Sequence, residues 1–114
     1  MRRSFIIAAA IAAPLLAAMP AHANNCYDII GCMSTQYFPK KPLYQFSCQL
    51  LWEVRNQAFK DRGYCFKTQT GINEMGNDGC YIANQDNVPL NAHERANVAT
   101  IRSVEKAKGC NYGG

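Results

Sequence analysis

The chain has no Cys-x-x-Cys pair among its six cysteines. That absence argues against a thioredoxin-like redox site. The cysteine spacings of 6, 16, 17, 15 and 30 residues hold no close ligand pair, which leaves little for a zinc site. After residue 23 no apolar run reaches membrane length. There is no internal repeat and no low-complexity tract. Acidic residues are too few and wrongly spaced around Asn77, Asp78 and Asp86 for an EF-hand, so that stretch reads as solvated turns. No dense basic face is present either, and nucleic-acid binding finds no support.

What is present begins with a leader. Arg2 and Arg3 precede the apolar stretch "FIIAAAIAAPLLAAM", which is too short for a comfortable membrane span. "AHA" at 21–23 has the small-x-small pattern of a signal-peptidase site and predicts cleavage after Ala23. An uncleaved anchor is the alternative. Cleavage leaves 91 of the 114 residues, enough for one small domain with no membrane anchor. The 12 basic residues fall to ten against eight acidic ones, a net charge of +2. All six cysteines survive, and an even count in a short exported chain implies structural disulfides and a periplasmic or secreted location.

Residues 24–46 read as an irregular N-terminal extension. "CYDIIGC" suits a local Cys26–Cys32 clasp, and Pro39 and Pro42 around Lys40 and Lys41 suggest an extended connector. Ser47 is a good N-cap for a helix over about 48–62, with Phe46 and Leu51 as a hydrophobic staple. Leu51, Val54 and Ala58, with Trp52 and Phe59 one position round, form its apolar stripe. Glu53, Arg55, Asn56, Gln57, Lys60 and Asp61 fall on its polar side. Lys60 and Arg62 suit the negative end of the helix dipole, and Gly63 closes the helix. The Gly- and Asn-rich stretch 68–88 has room for one helical turn around Ile72–Met75. A second long helix over about 92–108 opens at Asn91, with Glu94 completing a capping box. Val98, Ile101 and Val104 form its stripe, Ala107 extends one side, and Gly109 ends it. Residues 111–114 read as a loose tail.

The fold class is therefore mainly α: a small disulfide-stapled domain whose two principal helices pack antiparallel. Six cysteines allow fifteen pairings. Antiparallel packing favours Cys48–Cys110 and Cys65–Cys80 beside the local Cys26–Cys32 bridge.

"LWEVRNQAFKDRGYCF", followed later by "VPLNAHERANVATIRSVEKAKGC", resembles the YARHG domain, a small bacterial domain of extracellular location. Trp52, Arg55, Asn56, Phe59 and Gly63 stand at matching positions, as do Leu90, Asn91 and Glu94. The central motif departs from the family's, reading Phe59-Lys60-Asp61-Arg62-Gly63. The resemblance covers about residues 47–110. It implies fold and location and leaves activity open, because the family has no established catalytic role.

Residue chemistry points the same way. After cleavage removes His22, His93 is the one remaining histidine, and no partner for it is visible in the sequence. The carboxylates Glu53, Asp61, Glu74, Asp78, Asp86, Glu94 and Glu105 sit largely on polar faces. No catalytic residue, metal or cofactor is assigned. Arg55 pairs either with Glu94 or with loop carbonyls in a structural reading; in a functional one it meets a carboxylate such as those of peptidoglycan stem peptides. Candidate binding residues are Arg55, Asn56, Lys40, Lys41 and Tyr64, and Tyr37, Phe38, Tyr44 and Tyr81 could add stacking surfaces. The leading expectation is a non-enzymatic envelope module binding a wall polymer or an envelope protein. Alternatives are a secreted inhibitor or effector acting on another protein and, behind it, a small hydrolase.

Overall fold

The structure is a computed structural model that describes residues 25–113; the predicted leader and its cleavage point lie outside them. A two-stranded antiparallel hairpin, β1 (Cys26–Tyr27) with β2 (Gly31–Cys32), opens the described chain. Then come the short helix α1 (Lys40–Leu43), the long helix α2 (Cys48–Asp61), α3 (Gln69–Met75), a 3₁₀ turn (Gln85–Asn87) and the long helix α4 (Ala92–Lys108).

Local chemistry sets the ends of both long helices. The Ser47 hydroxyl accepts from the Leu50 N–H, and Asn91 and Glu94 form a complete capping box at α4. Gly109 closes α4 in the left-handed region. After α2, Gly63 has φ +97°, which side chains rarely adopt, and its carbonyl accepts from both the Tyr81 and the Ile82 N–H. That turn brings the chain after α2 alongside residues 81–82.

Helices α2 and α4 bury their predicted stripes against each other. Leu51, Val54, Ala58 and Phe59 meet Val98, Ile101 and Val104 in one core. Ala107, expected beside that stripe, is exposed instead, because successive steps of three residues drift round the helix and carry it off the buried face. Three disulfides join Cys26 to Cys32, Cys48 to Cys110 and Cys65 to Cys80. The second ties the start of α2 to the residue after Gly109, as antiparallel packing requires.

Two segments differ from expectation. The Pro39–Pro42 stretch contains a helical turn, not only an extended connector. Pro42 sits in the first turn of α1, where a missing N–H leaves no intrahelical bond unmade, and Leu43 is driven into the core. Helix α3 begins earlier than Ile72, because Thr68 caps it through the Gly71 N–H. A Cβ at Gly71 would press on Phe66 at 3.0 Å, so close packing selects glycine there.

Residues 25–46 contribute Ile30, Met33, Phe38 and Leu43 to the same core. A polar strip on α4 holds this segment. Asn97 is 1% exposed; it donates to the Met33 and Gln36 carbonyls and accepts from the Phe38 N–H at 2.8 Å. Asn91 donates to the Ser34 carbonyl. Glu94, also 1% exposed, accepts from the Ser34 hydroxyl, the Asn91 N–H and the Arg62 guanidinium. Buried polar groups persist only when partnered in this way.

Arg62 therefore takes the partner expected of Arg55. Arg55 instead grips Glu105, with Nε to Oε1 at 2.8 Å and Nη2 to Oε2 at 3.0 Å. Register explains the correction. With Cys48 opposite Cys110, each step along α2 moves one step back along α4. Arg55 then lies beside the turn holding Glu105, and Arg62 beside the turn holding Glu94.

Candidate functional site

The N-terminal hairpin creates one chemically distinctive spot. Asn25 is 5% exposed, donates through Nδ2 to Asp61, and takes φ +50°. Tyr27 packs edge-on against Phe38 near Asp61. Burial, reinforced by the Asp61 charge, pushes the Tyr27 phenol from 10.0 up to about 12. A raised pKa favours the neutral phenol in the fold. The unfolded phenol ionises from about pH 10 while the folded one stays protonated. Tyr27 thus contributes stability that is fully present below pH 10 and is lost as pH rises to about 12. Absorbance titration should show late-ionising tyrosine that Tyr27→Phe removes in part. The rest belongs to Tyr112, whose hydroxyl bonds to Glu74 and which is also raised to about 12.

Three predicted site residues come together between α2 and the chain that follows it. Arg55, Asn56 and Tyr64 line a depression of about 180 Å³ with Trp52, Phe66, Lys67, Thr68 and Gln85. Helical spacing puts Trp52, Arg55 and Asn56 on one side of α2, and the turn at Gly63 delivers Tyr64 and Phe66 opposite them. Phe59, Tyr64 and Phe66 form a ladder of edge contacts, with centroids 6.1 and 5.0 Å apart. The Asn77 side chain pins this strand-like piece by pairing with both the N–H and the C=O of Phe66.

The members of this set are unequal. Asn56, expected on the polar face, is 5% exposed and donates to the Trp52 carbonyl, so it braces the wall of the site. The Nε–Nη2 edge of Arg55 is committed to Glu105. Exposed Lys67 presents charge at the rim. Lys40 and Lys41 lie elsewhere, exposed on α1, in the segment that Lys108 ties down through the Tyr44 carbonyl. Among the other aromatics, Phe38 is buried in the core and Tyr81 is exposed. His93 packs its ring 4.4 Å from that of Tyr37.

Sequence reasoning missed the other side of Arg55. Arg55, Arg102, Glu105, Lys106, Cys110, Asn111 and Tyr112 line a second, open depression of about 450 Å³. Arg102 and Lys106 are one turn apart on α4, a spacing legible in the sequence. The Tyr112 ring meets Trp52 edge-on at 5.4 Å, so the stretch expected as a loose tail covers part of α2. Arg55 is common to both depressions.

Among the described residues no cluster of three or more His, Cys, Asp or Glu side chains could hold a metal ion. None of the described helices is long and apolar enough to cross a membrane. Glu53, Asp61, Glu74, Glu94 and Glu105 each accept hydrogen bonds from protein side chains.

The profile of the YARHG domain matches residues 25–106. This match begins within the N-terminal segment, well before the region that carries the sequence resemblance. No curated protein and no solved structure matches the chain.

Proposed function

This chain belongs to the YARHG domain family, and from that membership we propose that it is an exported, non-enzymatic cell-envelope module that binds a wall polymer or an envelope protein. YARHG domains are small extracellular or periplasmic modules. A leader cleaved after Ala23 would deliver the chain to the periplasm or outside the cell, where its disulfides persist.

The observation that supports a binding role is the depression lined by Trp52, Arg55, Tyr64, Phe66 and Lys67. Trp52 and Phe66 are buried in its wall, half-buried Tyr64 offers ring surface to sugar rings or apolar groups, and a cation at the rim attracts carboxylates. A wall polymer with peptide side chains offers both kinds of group.

Co-sedimentation of the oxidised chain, residues 24–114, with purified sacculi tests this. Retention should survive moderate salt and fall severalfold for Lys67→Gln, an exposed change that leaves the core intact. Absence of retention at low and moderate salt alike removes the polymer reading. A stoichiometric complex with one protein of an envelope extract would then support the protein-partner half of the proposal.

A further inference from the structure

Arg102 makes no ion pair among the described residues, and it shares its depression with two further cations, Arg55 and Lys106. Its guanidinium carbon lies 5.8 Å from the centre of the Phe59 ring, a contact that holds the group in place. The carboxylate nearest in the wall, Glu105, is already occupied by both donors on one edge of Arg55. Three cations face one anion, leaving an excess of positive charge. Partial burial first, and then the charge of Arg55, lowers the Arg102 pKa, against smaller opposing effects of Glu105 and Asp86. A bound anion would relieve that repulsion.

We infer that the depression between α2, α4 and the C-terminal turn is a carboxylate-binding site in which Arg102 makes the principal contact, with Lys106 and Tyr112 beside it. This rests on the binding role proposed above and names the group recognised. A planar guanidinium pairs with a carboxylate through two parallel N–H···O bonds, as Arg55 does with Glu105 in the same wall. Inorganic phosphate is the poorer occupant, because it carries no apolar part to lie against the Tyr112 ring in the wall. The tyrosine ring of Tyr112 provides an apolar side. The ligand class is thus a monoanionic carboxylate on a short apolar body, such as the free end of a peptide.

The test is NMR titration of the oxidised chain with N-acetylalanine, and separately with N-acetylalaninamide, inorganic phosphate and chloride. N-acetylalanine should shift the Arg102 side-chain resonance and the amides of Lys106, Asn111 and Tyr112. The neutral amide should not, and phosphate should bind more weakly. Arg102→Gln should weaken binding by about tenfold, the loss of one charge-assisted pair, and Arg102→Lys less. Arg102 is exposed, so both variants should retain the parent amide spectrum elsewhere. Equal shifts with the amide or with chloride overturn the inference, as do undiminished shifts in Arg102→Gln. Binding of N-acetylalanine without retention on sacculi leaves the carboxylate site standing and removes the wall polymer. Retention that ignores Arg102→Gln, with no shift by N-acetylalanine, removes the carboxylate site and leaves the wall reading standing.

Discussion

Joint replacement of Cys48 and Cys110 by alanine is expected to lower the stability of the oxidised chain by about 4 kcal/mol, the largest effect among the three disulfides. The bond spans 62 residues, against 15 for Cys65–Cys80 and 6 for Cys26–Cys32. Closing a longer loop removes more freedom from the unfolded chain, so the loss on cutting it scales with the logarithm of loop length. A small domain has roughly 5–15 kcal/mol in all, and the variant should therefore unfold at a much lower urea concentration. The bond also fixes the register that sets Arg55 beside Glu105 and Arg62 beside Glu94. Urea titration of the three double-alanine variants checks the order. A larger loss on cutting Cys26–Cys32 would show that strain and contacts at the hairpin, not chain entropy, set the effect.

Glu94→Ala should cost about 3 kcal/mol, because it leaves several partners without their acceptor at once. The carboxylate is 1% exposed and joins three parts of the chain: Arg62 after α2, Ser34 in the N-terminal segment, and the Asn91 N–H of its own helix. Arg62 is 37% exposed at its side chain and can turn to water, which keeps the loss below that of a fully buried pair. Glu94→Gln keeps one acceptor and should cost less. The N-terminal segment should loosen most, so hydrogen exchange at Phe38 and Met33 should accelerate more than exchange within α2. A loss below about 1 kcal/mol would mean that water replaces the carboxylate at little cost, and that the strip does not hold the segment.

Both effects bear on the family motif. Arg62 and Gly63 occupy the last positions of the departed motif, and Glu94 belongs to its later part. In the folded chain Arg62 bonds Glu94, and Gly63 turns the chain toward Tyr81 and Ile82. The positions carrying the resemblance are thus largely the fold's own clamps, and the open cations lie beside them, at Arg102, Lys106 and Lys67.

The sequence by itself determined both long helices, their caps and apolar stripes, the local Cys26–Cys32 clasp and, through antiparallel packing, the Cys48–Cys110 and Cys65–Cys80 pairs. Those features depend on neighbours within about four residues, or on helix ends whose spacing follows from helix length. The tertiary structure alone decided which polar groups are buried. Glu94 and Asn97 lie on α4, and Asn56 falls on the polar side of α2 in the sequence pattern, yet all three are buried. The two on α4 are matched by donors and acceptors that reach them from a segment about sixty residues earlier. The crowding of Arg102 by Arg55 is of the same kind, since each cation is unremarkable on its own helix. Local pattern fixes what a residue prefers, but the environment of a charge is supplied by chain that is distant in sequence, and only packing brings it near.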